Sequence, residues 1–176
     1  MQLIPQLFEI GAVRHGSFTL KSGTISPIYV DLRGTISYPK LLIEIAEALY
    51  KCVKNCSFDL LCGVPYTALP FATAISIRHT IPMVLRRKEK KEYGTGKILE
   101  GIFRKGDRCL IVEDVITSGS SILETTQDLR REGLHVEDAV VLVDREQGAV
   151  SNLANEGISV HSVLTLGQLL KYAPSV

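Results

Sequence analysis

The stretch Cys109-Leu-Ile-Val-Glu-Asp-Val-Ile-Thr-Ser-Gly-Ser-Ser-Ile122 decides how the rest of the chain reads. Cys109 to Val112 are apolar and have the profile of a buried strand. They end in two carboxylates, Glu113 and Asp114. A small-residue turn, Thr117-Ser118-Gly119-Ser120-Ser121, then opens a helix from about Ser120 to Glu132, with Gly133 placed to end it. That order puts both carboxylates at the carboxyl edge of a parallel sheet. The turn presents backbone N–H groups and hydroxyls at a helix N-terminus, a natural phosphate cradle. The carboxylates accept hydrogen bonds and suit the hydroxyls of a sugar, so one segment reads as a holder for a ribose phosphate. A Ser-capped helix with acids near its start is the plainer alternative. Capping alone does not call for two successive carboxylates directly after an apolar strand.

Working outward, strand-like and helix-like patterns alternate from Pro39. Leu42, Ile45, Leu49 and Val53 form an apolar stripe at helical spacing after Pro39, which suits a helix start. Phe58 to Val64 reads as a buried strand, followed by a turn at Pro65 and a helix through Arg78. Ile81 to Arg86, Ala139 to Val143 and Ile158 to Val163 are further strands, and Leu166 to Tyr172 is a short closing helix. With Cys109 to Val112 these predict an α/β fold, a central parallel five-stranded sheet flanked by helices on both faces. Two stretches break the rhythm. Residues 1–38 read as an N-terminal hood, extended in short pieces from residue 11. Residues 87–101 are polar and basic, carry Gly94, Gly96 and Gly101, and read as a long mobile loop. With no repeat, low-complexity tract or linker, residues 1–176 read as a single domain.

Composition removes several function classes. Lys and Arg total 20 against 19 Asp and Glu, so bulk attraction to nucleic acid or an acidic membrane is not expected, and any anion site must be local. The longest apolar run, Ala68 to Ile77, is interrupted by Pro70 and falls short of the ~18 to 20 residues a bilayer span needs. Met1 to Ile10 lacks a basic n-region and carries Glu9, which argues against a signal peptide. Cysteine usage points to a reducing compartment, the cytoplasm: Cys52, Cys56, Cys62 and Cys109 show neither C-x-x-C nor zinc spacing. His15, His79, His135 and His161 are scattered and read as surface or cap positions. Gly94-Thr-Gly-Lys97 fails as a P-loop, because the earlier glycine is absent and Ile98 replaces Ser/Thr.

The run Glu113 to Ile122 resembles the phosphoribosyl-pyrophosphate (PRPP) motif of type I phosphoribosyltransferases. Phe18-Thr-Leu-Lys-Ser-Gly23, Ser26-Pro-Ile-Tyr-Val-Asp31, Cys62-Gly-Val-Pro-Tyr-Thr-Ala-Leu-Pro70, Arg87-Lys-Glu-Lys-Lys91 and Asp144-Arg-Glu-Gln-Gly148 narrow the resemblance to the orotate phosphoribosyltransferase family. It is closest to the N-terminal domain of animal-type bifunctional UMP synthases.

The resemblance implies transfer of a phosphoribosyl group from PRPP to orotate, with Mg²⁺ held mainly by PRPP and water and no metal ligand from the protein. It implies that Glu113 and Asp114 bind the ribose hydroxyls and act catalytically, their charge facing the positive charge that develops on the ring. Val115, Ile116, Thr117, Ser118, Gly119, Ser120 and Ser121 would form the 5′-phosphate loop. Lys21, Tyr29, Val30, Thr117 and Arg145 would meet orotate. Tyr66, Thr67, Arg87, Lys88, Lys91 and Tyr93 would meet the diphosphate, with Lys91 acting catalytically across a homodimer interface. Tyr93 and Thr67 replace the His and Lys common in bacterial members and match the animal type. Taken alone, Arg145 reads instead as a surface residue paired with Asp144 or Glu146, Lys21 as a solvated loop lysine, Tyr29 as a core aromatic and the basic loop as a solvated face. Two rival functions are a transferase for another base and a non-catalytic PRPP sensor. The Lys21 segment and Arg145 speak against the first, Lys88 and Lys91 against the second.

Overall fold

The computed structural model describes residues 3–19, 25–88 and 98–172. A seven-residue helix, α1 (Leu3–Glu9), leads into an antiparallel ribbon of β1 (Val13–Thr19) and β2 (Ile25–Val30). A 3-10 turn over Leu32–Ser37 follows, its Arg33 N–H donating to the capping Asp31 carboxylate. The hood is thus helical at its start and extended only afterwards. Beyond it come α2 (Pro39–Val53), β3 (Leu60–Gly63), α3 (Ala68–His79), β4 (Met83–Arg86), β5 (Leu99–Glu100) and β6 (Cys109–Ile116). The chain ends with α4 (Ser120–Arg131), β7 (Asp138–Asp144), α5 (Ala149–Ala154), β8 (Ser159–Thr165) and α6 (Leu166–Lys171).

The main sheet has the order β5-β4-β3-β6-β7-β8. Five strands are parallel, as expected, and β5 adds a sixth, antiparallel to β4 through Leu85↔Glu100 and Arg86↔Leu99. Residues 98–100 of the expected loop therefore belong to a buried edge: Ile98 and Leu99 are both buried. Residues 89–97 lie outside the described residues.

Two apolar clusters sandwich the sheet. α1, α2, α3 and α6 pack on one face through residues such as Leu7, Ile45, Leu49, Phe71 and Leu169. α4 and α5 cover the other through Ile122, Leu129, Ala149 and Leu153. On α2 the fully buried stripe is Leu41, Ile45, Ala48, Leu49 and Val53, while Leu42 is only half-buried. Each of the larger buried side chains contributes roughly 1.5–3 kcal/mol by leaving water. The β3–α3–β4 units run to one side of β3 while β6, β7 and β8 lie on the other, so the winding direction reverses between β3 and β6. Ligands of open α/β sheets bind at the carboxyl ends of the strands beside such a reversal.

Candidate active site

The acidic pair sits where the ladder thins out. β3 stops at Gly63 opposite Val112, whereas β7 accompanies β6 as far as Ile116↔Asp144. The strand therefore runs through Glu113 and Asp114 rather than ending at them. The acids' own oxygens accept the next two amides: Asp114 N–H donates to Glu113 Oε1 at 3.0 Å and Val115 N–H to Asp114 Oδ1 at 2.8 Å. Glu113 is buried and Asp114 half-buried. Burial, reinforced by a hydrogen bond with Asp114 and by its charge, pushes the Glu113 carboxyl well above the usual carboxylate range.

The turn that follows is built around Gly119. Its φ of +85° is a left-handed conformation, and a Cβ there would lie 3.0 Å from Leu153 Cγ and Cδ1. α5 holds the turn from the other side, through Asn152 Nδ2 donating to the Ser118 carbonyl at 3.1 Å. Gly119 is the N-cap of α4 and has no side chain to cap it, so the first amides of the helix remain available to a ligand. The Ser-capped alternative does not apply. Thr117, Ser120 and Ser121 are exposed around a small pocket that Glu113, Gly119 and Ile122 also line, and Ser118 is exposed in the same turn. Val115 is half-buried, and Ile116 is buried with its carbonyl accepting the Arg145 N–H at 3.0 Å.

Arg145 is the residue whose isolated reading fails. It follows β7, is only 6% exposed, and among the described residues forms no ion pair with Asp144 or Glu146. Asp144 Oδ1 instead accepts the Glu146 N–H at 2.8 Å, and Glu146 Oε2 accepts that of Gly167 at 2.7 Å. These bonds hold Glu146 at φ +56°, a sharp turn that directs Arg145 inward. Its Nη2 donates to Ser26 Oγ of β2 at 3.2 Å, while its buried Nε has no partner. A buried guanidinium without a carboxylate is costly and calls for an anion. Ser26, buried with its hydroxyl donating to the Ile28 carbonyl at 2.7 Å, links hood to sheet. Its place in the Ser26-to-Asp31 motif was the only signal for it, because 119 residues separate it from Arg145.

Val30 alternates onto the same ribbon face as Ser26 and Ile28. Tyr29 falls on the other face, half-buried against Phe18 (ring centroids 5.2 Å apart) with the Arg14 guanidinium 5.1 Å from its ring centre. It is a ribbon aromatic rather than a core one. Lys21 lies outside the described residues.

The third cluster stands at the ends of β3 and β4. Tyr66 is exposed beside the half-buried Thr67, and Lys88 Nζ lies 5.6 Å from the Tyr66 ring centre. Tyr66, Leu69, Arg87 and Lys88 line one open cavity. Arg87 is tied to Glu100 of β5, with Nε donating to Oε1 at 2.7 Å. Arg86 is nearly buried and pairs with Asp128 of α4 at 2.7 Å, so it braces the start of the loop rather than facing solvent. Lys91 and Tyr93 lie outside the described residues. The clusters at β4, β3, β6 and β7 line one edge of the sheet, which three strand spacings make about 14 Å wide. An anion-ready helix start, an acidic pair and a buried unpaired guanidinium along one sheet edge define a site for an anionic sugar phosphate and an anionic second substrate.

The comparisons give that class its family. Residues 36–160 match the phosphoribosyl transferase domain family. The chain is 54% identical over 170 residues to uridine 5′-monophosphate synthase from Bos taurus, covering 96% of this chain and 35% of that protein. It is 45% identical over 166 residues to orotate phosphoribosyltransferase from Caenorhabditis elegans, covering 93% of this chain and 73% of that one. The crystal structure of orotate phosphoribosyltransferase from Aeropyrum pernix superimposes with a TM-score of 0.83 at 32% identity, covering 97% and 98% of the two chains. The chain thus spans about a third of the bovine relative and most of the single-activity ones. The chain belongs to the phosphoribosyltransferase family, in its orotate phosphoribosyltransferase branch.

Proposed function

We propose that this chain joins orotate to PRPP, giving orotidine 5′-monophosphate and pyrophosphate in UMP formation. The observation that carries the reading is Arg145, a buried guanidinium with an unpartnered Nε at the β7 end of the site. A planar carboxylate-bearing base is its natural complement, because the guanidinium can bind two oxygens at once. In the reaction a ring nitrogen of orotate bonds to the ribose carbon as the bond from that carbon to pyrophosphate breaks; the electron pair leaves with the pyrophosphate, which takes up the proton that the ring nitrogen gives up. The ring gains positive charge on the way. Asp114 faces that charge and, with Glu113, holds the ribose hydroxyls. The uncapped amides of Ser120 and Ser121 and the Thr117 and Ser118 hydroxyls bind the 5′-phosphate. Arg87, Lys88 and Lys91 neutralise the diphosphate, Arg87 exchanging Glu100 for it, while Tyr66 and Thr67 contribute hydroxyl and backbone contacts. Val30 and Lys21 flank the base.

The site offers carboxylate and hydroxyl oxygens, hard donors that suit Mg²⁺. Bound to PRPP and water, Mg²⁺ would supply charge neutralisation on the leaving diphosphate, with Asp114 and Glu113 facing it from the ribose side. A homodimer in which Lys91 serves the partner's site is part of the proposal, as is a cytoplasmic setting, supported by the cysteine usage. Among the described residues no helix is long and apolar enough to cross a membrane.

The test is an absorbance assay of orotate with PRPP and Mg²⁺, with uracil and adenine as controls. Orotate alone should be consumed. Turnover of adenine or uracil without orotate overturns the reading. Asp114→Asn should lower kcat by about 10²- to 10³-fold with little change in either KM, the pattern expected of a contact that strengthens with the ring charge.

A further inference from the structure

At the opposite, amino end of the sheet, three side chains from distant parts of the sequence converge. Asp138 opens β7, His161 lies one diagonal step away on β8, and Cys56 sits in the turn after α2. His161 Nε2 is 2.7 Å from Asp138 Oδ1 and 3.6 Å from Cys56 Sγ. The three donor atoms all lie within 4.8 Å of one another, and each residue is half-buried. The scattered spacing of the histidines had suggested surface or cap positions, but a separation of 105 residues between Cys56 and His161 leaves no spacing to read.

We propose that Cys56, Asp138 and His161 form a binding site for a zinc-class divalent cation, with solvent in the fourth position. Three features of the cluster carry this. Both neighbours approach the same ring nitrogen, Nε2, so the imidazole does not bridge thiol and carboxylate through its two nitrogens as a nucleophile's relay requires. Without a cation the Asp138 carboxylate can accept from both the imidazole and the thiol; a cation between the three atoms would instead take a lone pair from each. The ligand set is also apt: thiolate and carboxylate together neutralise a dication, and sulfur with imidazole selects zinc over magnesium. The distances fit as well. Zn–S of about 2.3 Å and Zn–N of about 2.0 Å at a tetrahedral angle put N and S about 3.5 Å apart. The observed separation is 3.6 Å. The carboxylate oxygen need only withdraw from 2.7 Å to about 3.3 Å, a small rotation for a side chain at the sheet rim.

The site is separate from the transferase chemistry. Six residue steps along β7 separate Asp138 from Asp144, about 20 Å of extended strand. A cation here would clamp β7, β8 and the α2–β3 connection together at the end of the sheet remote from substrate.

Titration of the whole chain with Co²⁺ should show one ion per chain and a thiolate-to-cobalt charge-transfer band, and Zn²⁺ should displace it. Cys56→Ser should abolish the band, and Cys56→Ser and His161→Gln should each weaken Zn²⁺ binding at least about 100-fold. Cys52→Ser should leave both untouched. On the unmutated protein, Zn²⁺ should slow alkylation of Cys56 but not of Cys52, read by mass spectrometry. Absence of one-to-one binding, retention of the band in Cys56→Ser, or unprotected Cys56 would each overturn the site.

Discussion

A guanidinium that is 6% exposed, with Nη2 on Ser26 and no partner for Nε among the described residues, sets a strict demand on whatever binds beside it. Arg145→Ala should weaken orotate binding by about 10- to 150-fold, the equivalent of the ~1.5–3 kcal/mol typical of a charged hydrogen-bonded partner. PRPP affinity should stay within a factor of about two, since the diphosphate end lies strands away. Calorimetry with each ligand separately checks this, and equal losses for both would remove Arg145 from the base pocket. Glu113 makes a different prediction. Its carboxyl is raised by burial first and by Asp114 second, so over the range above an ordinary carboxylate's titration the folded chain holds a proton that the unfolded chain has lost. Stability from this group is therefore full below the unfolded pKa and declines as pH rises towards the folded one. Glu113→Gln should flatten that decline and raise Tm near neutral pH while lowering kcat, measurable by melts across pH. Little of this was legible in local sequence. Arg145 between Asp144 and Glu146 looks like a surface ion pair until the fold commits Asp144 to a backbone amide. Only the wider Asp144-to-Gly148 motif pointed to the base.

Among the elements, the turn from β6 into α4 concentrates the constraint. Gly119→Ala would place a methyl against Leu153 and force a left-handed residue to carry a Cβ. The conformational cost is roughly 1–2 kcal/mol before the steric one. The variant should melt lower and lose affinity for inorganic phosphate as well as PRPP. A normal melt with normal phosphate binding would show that the turn tolerates a side chain. The sequence exposed this element except for the strand's continuation through Glu113 to Ile116, because an apolar strand, an acidic pair and a small-residue turn are contiguous. It exposed the five parallel strands because each carries a short cluster of apolar residues between helical or turn patterns. It hid α1, α5 and β5. α1 and α5 have fewer than two turns in which to show periodicity, a length at which α6 still stood out through Leu166, Leu169 and Leu170, and β5 is a two-residue strand defined only by its pairing with β4.

For the whole molecule, strand order and the reversal between β3 and β6 came from topology that no single segment encodes, yet they gather the three site clusters along one edge. The proposed dimer is tested at this scale. Lys91→Ala and Asp114→Asn homodimers should each be nearly inactive. Refolded together, about half of the dimers will be mixed, and each of those has one intact site if Lys91 acts across the interface. Activity should then recover to roughly a quarter of wild type. A flat mixing curve, with mixed dimers verified by mass spectrometry, would place the loop in its own subunit's site. The uncompensated charge at Arg145 also governs the protein between turnovers. Without an anion in place, the folded chain carries a desolvated cation that no described carboxylate pairs, and it forfeits stability that a better-matched interior would keep. Ligand that binds only the folded form restores that loss in proportion to its supply. On the proposed function, a cell short of orotate would therefore hold this chain in its most protease-sensitive form, and its abundance would follow the traffic of the base it consumes.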